Sequence, residues 1–164
     1  MKIREATRSD AMAIAEVFNY YILNTAVTFE IEPLTPHQME DRIAQINNDG
    51  YPFYVMEDDN RKVVGFYYLH YWNYRKGFHS TAELVIYVRH TCVHHNIASQ
   101  LLEHLLANVG KYGFHLLIAT VTVPTEKSTG ILQKFNFHKA GELLEIGQKF
   151  GKMRNVEQWV LKLN

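Results

Sequence analysis

The stretch TAELVIYVRHTCVHHNIASQLLEHLL, Thr81 to Leu106, changes its periodicity twice. It opens on an apolar, largely β-branched run (Leu84, Val85, Ile86, Val88), crosses a short polar loop and settles into leucines at helical spacing. That is a strand, a loop and a helix. In such a unit the loop amides and the first helical turn converge on one spot. Their unsatisfied N–H groups and the positive end of the helix dipole favour an anion there, typically a phosphate. The segment His94, His95, Asn96, Ile97, Ala98 and Ser99 is therefore the expected phosphate cradle.

Outside this stretch, bulk composition narrows the field. A chain of 164 residues with 47% hydrophobic and 21% charged residues suits a single domain over residues 1–164 with a substantial core. Lysine plus arginine balance aspartate plus glutamate at 17 each, so no general attraction to nucleic acid or an anionic membrane is expected and any anion site must be local. One cysteine, Cys92, excludes an internal disulfide framework, and the N-terminus carries no signal-like or membrane-spanning run. The expectation is a cytoplasmic protein without a membrane or nucleic-acid partner. The 10 tyrosines and 9 histidines suit a site built from neutral polar and aromatic groups, or an aromatic surface.

Upstream of the stretch, Ile3 to Ala6 forms a short strand, and Ser9 or Asp10 caps a helix with a broad apolar face from Met12 to Ile22. Thr35-Pro36-His37-Gln38 is a capping box with proline at the first helical position, opening a second helix that Asp49-Gly50 ends. Phe53 to Met56, the turn Asp58-Asp59-Asn60 and Val63 to Tyr71 make a hairpin, which Glu83 to Val88 extends to a meander. Downstream, a helix from about Asn96 to Val109 stops near Gly110 or Gly113. A buried strand follows at Leu116 to Val123, then a helix to about Phe135, then strands near Ala140 to Lys149 and Val156 to Leu163. These alternations make a mixed α/β chain.

The central stretch resembles the acetyl-CoA-binding segment of the GCN5-related N-acetyltransferases, whose loop has the pattern Gln/Arg-x-x-Gly-x-Gly/Ala; Val93, Asn96 and Ala98 stand at those positions. The element order is also that superfamily's, so the resemblance covers nearly the whole chain. Within it the sequence is most similar to the phosphinothricin and methionine sulfoximine N-acetyltransferases. Asn19-Tyr20-Tyr21-Ile22, Val27-Thr28-Phe29, Glu32-Pro33 and Tyr51-Pro52 match that family's early segments. Trp72, Arg75, Thr81, Glu83, Tyr87 and Val88 match its W-x-x-R…T-x-E…Y-V segment, and Gly141, Gly147, Lys149, Gly151 and Trp159 continue the register. The implied fold is a central mixed, mostly antiparallel twisted sheet of about seven strands flanked by about four helices, with the fourth and fifth strands splayed to take the cofactor.

The resemblance also implies roles. Glu83 is the expected general base, because an α-amine of pKa about 8 is mostly protonated at neutral pH and only the free amine attacks a thioester. Ile86, Tyr87 and Val88 would hold the pantetheine arm of acetyl-CoA and polarise its carbonyl through backbone N–H groups. Thr125, where the family has asparagine, would contact the cofactor; as a residue type it serves equally as a helix N-cap. Arg75 suits a substrate carboxylate, and Phe29 and Trp72 would be apolar walls of the acceptor pocket or core. The family further implies a homodimer. His90, Cys92, His94 and His95 offer four possible ligands but lie too close in sequence to resemble a closed zinc motif, so no metal is expected.

Three departures bear on chemistry. Asparagine replaces glycine at Asn96 and Asn136, which suits a left-handed backbone better than any other non-glycine residue. Val93 and Asn96 alter the phosphate loop and predict weaker acetyl-CoA binding than is usual for the family, with His90, His94 and His95 as compensating cations once protonated. Leu132 stands where these relatives have an acid for the departing thiolate, and Met153 and Asn155 replace Trp and Asp near the acceptor. The expected activity is direct transfer of acetyl from acetyl-CoA to the primary amine of a small amino-acid-like acceptor, with Cys92 taking no part. The alternatives are acetylation of a protein N-terminus or polyamine, and a binding domain that has lost catalysis.

Overall fold

The computed structural model describes residues 1–123 and 126–164, the side chains of Glu126 and Lys127 excepted. In chain order the strands and helices are β1 (Lys2–Glu5), α1 (Ala11–Asn24), α2 (Pro36–Asn48), β2 (Phe53–Glu57), β3 (Val63–Tyr71), β4 (Thr81–Val88), α3 (Ile97–Asn108), β5 (Leu116–Val123), α4 (Glu126–Lys134), β6 (His138–Lys149) and β7 (Lys152–Lys162). They form one seven-stranded sheet in the order β1-β2-β3-β4-β5-β7-β6. The expected mixed α/β sheet with four helices is therefore the fold.

Local chemistry explains the elements. The Thr35 hydroxyl accepts from Gln38 N–H while Gln38 Oε1 accepts from Thr35 N–H, so the capping box that the sequence announces starts α2 at Pro36. The entry to α1 differs from expectation. A 3-10 turn at Arg8–Asp10 precedes it, and Asp10, instead of capping α1, accepts from the Thr7 N–H and from Arg4. The Arg4 guanidinium holds that carboxyl below the usual carboxylate range.

β3 lies mid-sheet and is buried from Val63 to Leu69. Its alternating side chains reveal the layers. Phe66 meets Phe18 of α1 and Tyr68 meets Arg42 of α2, whereas Gly65 faces Ile97 and Leu101 of α3, and Tyr67 reaches His104 of α3. Thus α1 and α2 cover one face and α3 the other. The strands from β1 to β4 are antiparallel neighbours, and β5, β7 and β6 form a second antiparallel group.

The two groups are joined by a single parallel ladder, the crossover β4-α3-β5. That ladder is short: Thr81 pairs with Leu116, Ala82 with Leu117 and Glu83 with Ile118, and pairing stops there. Beyond Glu83 the strands diverge, while β4 remains paired with β3 as far as Val88. One edge of β4 from Leu84 to Val88 is thereby left without a strand partner, which exposes alternate backbone N–H and C=O groups. No helix among the described residues is long and apolar enough to cross a membrane.

Candidate active site

The divergence of β4 and β5 opens a cleft of about 1820 Å³ that continues over α1 and α2. Its walls include Leu84 to Val88 of β4, Ala119 to Thr122 of β5, and Asn96 to Ser99 at the start of α3. The expected cofactor residues Ile86, Tyr87, Val88, Asn96, Ile97, Ala98 and Ser99 are therefore brought together on one surface. His94 and His95 are exposed and do not line it. Of the loop histidines, His90 does, stacked on Tyr20 with ring centroids 3.6 Å apart and 6° between planes. Thr125 lies outside the described residues.

Asn96 immediately precedes α3 with φ 57° and ψ 22°, the left-handed conformation, and Asn136 has φ 65°. The expectation for both positions holds. The first turn of α3 thus faces the cleft with its free amides, and Ser99 within it is buried. Lys134 at the end of α4 places Nζ 3.3 Å from Ser99 Oγ, behind the cleft surface and outside its lining. These groups, together with the open β4 edge, fit a long ligand that carries a phosphate at one end and needs backbone partners along its length.

Glu83 is the last position of β4 paired with β5, at the mouth of the opening. Thr120 Oγ1 donates to Glu83 Oε1 at 2.9 Å from the facing strand. His70, directly opposite on β3, has Nε2 3.5 Å from Glu83 Oε2. Burial pushes the His70 ring toward its neutral form, Glu83 opposes that shift and Arg42 adds to it. The carboxylate is thus oriented from two sides and remains 23% exposed to the cleft.

The remaining walls of the cleft come chiefly from α1, α2 and the segment between them. Phe29 lines the cleft, and a Cβ at Gly147 would overlap its ring, so the glycine is what lets that aromatic lie flat on β6. Lys149, almost fully buried, donates to the Thr28 carbonyl at 2.8 Å and pins the same segment. Tyr21 donates to the Val88 carbonyl at 2.6 Å and braces the end of β4. Tyr87 packs 4.8 Å from Phe18, with its phenol pushed up by burial. Trp72 and Arg75 stand apart. Both are exposed on the β3–β4 connection and outside the cleft lining; Trp72 meets Phe78 edge-on, and the Arg75 N–H donates to Asn73. Tyr74, between them, does reach the rim.

Several residues of the site were not singled out by sequence. His70 and Thr120 flank Glu83 only through strand register, and Arg42 lines the cleft from a helix whose pattern shows no more than amphipathicity. Leu132 is buried at the cleft wall and provides no proton there. Among the described residues no group of three or more His, Cys, Asp or Glu is placed to hold a metal ion.

Residues 3–155 match the family model of the acetyltransferase (GNAT) domain. The sequence is 30% identical over 159 residues to a phosphinothricin N-acetyltransferase of Streptomyces viridochromogenes, covering 97% of this chain and 86% of that one. It is 26% identical over 162 residues to an L-methionine sulfoximine/L-methionine sulfone acetyltransferase of Pseudomonas paraeruginosa, covering 99% and 94%. The fold superposes on yncA of Salmonella typhimurium, solved with its cofactor acetyl-CoA, with a TM-score of 0.96 at 25% identity, covering all of this chain and 94% of that one.

Proposed function

The chain belongs to the GNAT acetyltransferases, and from that premise we propose that it transfers acetyl from acetyl-CoA to the primary amine of a small amino-acid-like acceptor of the phosphinothricin, methionine sulfoximine or methionine sulfone type. The observation that carries this reading is the end of the β4–β5 ladder at Glu83, which sets a carboxylate at the point where the cleft opens.

When bound, acetyl-CoA supplies a thioester carbonyl open to attack by an amine. The open edge of β4 from Ile86 to Val88 would hold its pantetheine arm and donate N–H groups to that carbonyl. The turn from His94 to Ser99, with Lys134 beside Ser99, would hold the pyrophosphate. Thr125 keeps its assignment as a further cofactor contact. Glu83, fixed by Thr120, takes the proton from the acceptor's ammonium and frees the lone pair; His70, with Nε2 3.5 Å from the other carboxylate oxygen, is placed to pass it on. With leucine at 132, no acid serves the sulfur from that side, and a thiolate of pKa about 8.5 can depart without one.

Phe29 is the apolar wall of the acceptor pocket, whereas Trp72 and Arg75, outside the cleft lining, would meet the acceptor only from the neighbouring β3–β4 connection. A homodimer belongs to this reading; the exposed apolar side chains Leu144, Ile146 and Phe150 on the β6–β7 hairpin support it. The single thiol, Cys92, supports a cytoplasmic setting.

Acetyl-CoA titration followed by CoA-release assays on phosphinothricin, methionine sulfoximine, methionine sulfone, a polyamine and an N-terminal peptide tests the proposal. Binding is expected, with turnover of the amino-acid analogues. Turnover of the polyamine or peptide alone would move the acceptor to that class, and absence of acetyl-CoA binding would make the chain a non-catalytic binding domain.

A further inference from the structure

An amino-acid acceptor brings a carboxylate as well as an amine, and the cleft has little with which to receive it. Its lining includes four acidic residues, Glu30, Asp41, Asp49 and Glu83, and among the described residues Arg42 is the lone lysine or arginine. We infer that Arg42 is the group that binds the acceptor's carboxylate and so selects amino acids over simple amines. The inference rests on the amino-acid reading above.

Arg42 is well placed for this. Its neighbour Ile43 is buried in the core and seats that turn of α2. The guanidinium lies 5.6 Å from the centroid of Phe18, with Nη2 3.0 Å from Glu30 Oε1 and Nη1 3.5 Å from Tyr68 Oη. Those contacts engage two of its five N–H donors and hold the planar fork still, leaving donors for a ligand carboxylate. The side chain is 27% exposed, and it is exposed on the cleft.

A chain of contacts links Arg42 to Glu83 along the cleft. Tyr68 lies between Arg42 and His70, with the Tyr68 and His70 rings 5.8 Å apart, and His70 touches Glu83. The Arg42 and Glu83 charges act on the same His70 ring in opposite senses. An acceptor whose carboxylate rests on Arg42 thus directs its amine toward Glu83. Arg75, by contrast, lies outside the cleft lining.

The test compares methionine sulfone with its carboxamide, two acceptors that differ in the carboxylate alone. The acid-to-amide ratio of kcat/KM is measured for the wild type, Arg42→Gln, Arg42→Lys and Arg75→Gln. The acid is expected to be favoured by the wild type, and Arg42→Gln is expected to lower the ratio by about 10- to 100-fold, chiefly through KM for the acid. Arg42→Lys, which keeps charge but loses the fork, falls between. Acetyl-CoA affinity verifies that each variant is folded; if Arg42→Gln is not, the ratio of Arg42→Lys decides, a fall supporting the assignment and an unchanged value overturning it. An unaltered ratio in Arg42→Gln, or a collapse in Arg75→Gln instead, overturns the role of Arg42 and leaves the amino-acid reading standing. Failure of the wild type to acetylate either compound, or any of the amino-acid analogues, overturns both.

Discussion

Asn96 sets the backbone of the turn proposed to hold the phosphate. Its left-handed conformation costs an ordinary L-residue about 1–2 kcal/mol, and asparagine is among the few side chains that relieve it. Asn96→Ala is therefore expected to lower unfolding free energy by about 1 kcal/mol in a urea titration and to weaken acetyl-CoA binding, because the amides beyond it lose their aim. Asn96→Gly keeps the backbone and removes the side chain, so it should tighten acetyl-CoA. Equal dissociation constants for all three proteins would show that the turn does not meet the cofactor. This conformation was legible in the sequence, since asparagine at a position the family gives to glycine points directly to positive φ. His70 was not. It lies 13 residues before Glu83, and only the pairing register of β3 with β4 sets the two side by side. Arg42 was hidden for a related reason, because helical periodicity distinguishes a buried face from an exposed one but cannot show that a charged residue at their boundary overlooks a cleft.

Between elements, the decisive contact is the seating of α3 on the sheet. Gly65 of β3 allows it: a Cβ there would lie 3.0 Å from Ile97 Cγ2, 3.1 Å from Leu101 Cδ1 and 3.1 Å from the Tyr87 carbonyl oxygen. Ile97 opens α3 and Tyr87 belongs to the open strand β4, so the glycine abuts both walls of the cofactor cleft at once. Gly65→Val should overpack this junction, destabilise the fold by about 1–3 kcal/mol and raise the acetyl-CoA dissociation constant. Urea unfolding and calorimetric titration of the same variant check both parts; a stable variant with unaltered affinity would mean that α3 is free to shift. Most elements were readable from periodicity and capping, including the Thr35 box and the late helices. The boundaries that moved are at strand ends. β4 begins at Thr81 because Thr81 pairs with Leu116 and Ala82 with both Leu117 and Tyr71, and β7 begins at Lys152 because it runs against β6.

Across the whole molecule, the two antiparallel halves of one sheet share a short parallel ladder, and the proposed function follows from where that ladder stops. Sequence resemblance implied the splay, but it left open which polar groups would gather at its mouth. The structure puts Glu83 there, between Thr120 from one half of the sheet and His70 from the other. Departures at Val93 and Leu132 leave this constellation intact, while Lys134 stands beside Ser99 at the start of α3. A protein built this way should retain its cofactor site and lose its chemistry when Glu83 alone is neutralised. The most direct measurement is the rate of acetyl transfer by Glu83→Gln at pH 7 to the wild type's best amine, with acetyl-CoA affinity determined on the same preparation. The prediction is a fall in kcat of about 10²- to 10⁴-fold with acetyl-CoA still bound as tightly as by the wild type; a variant that keeps the wild-type rate would contradict the assignment of Glu83 as the base.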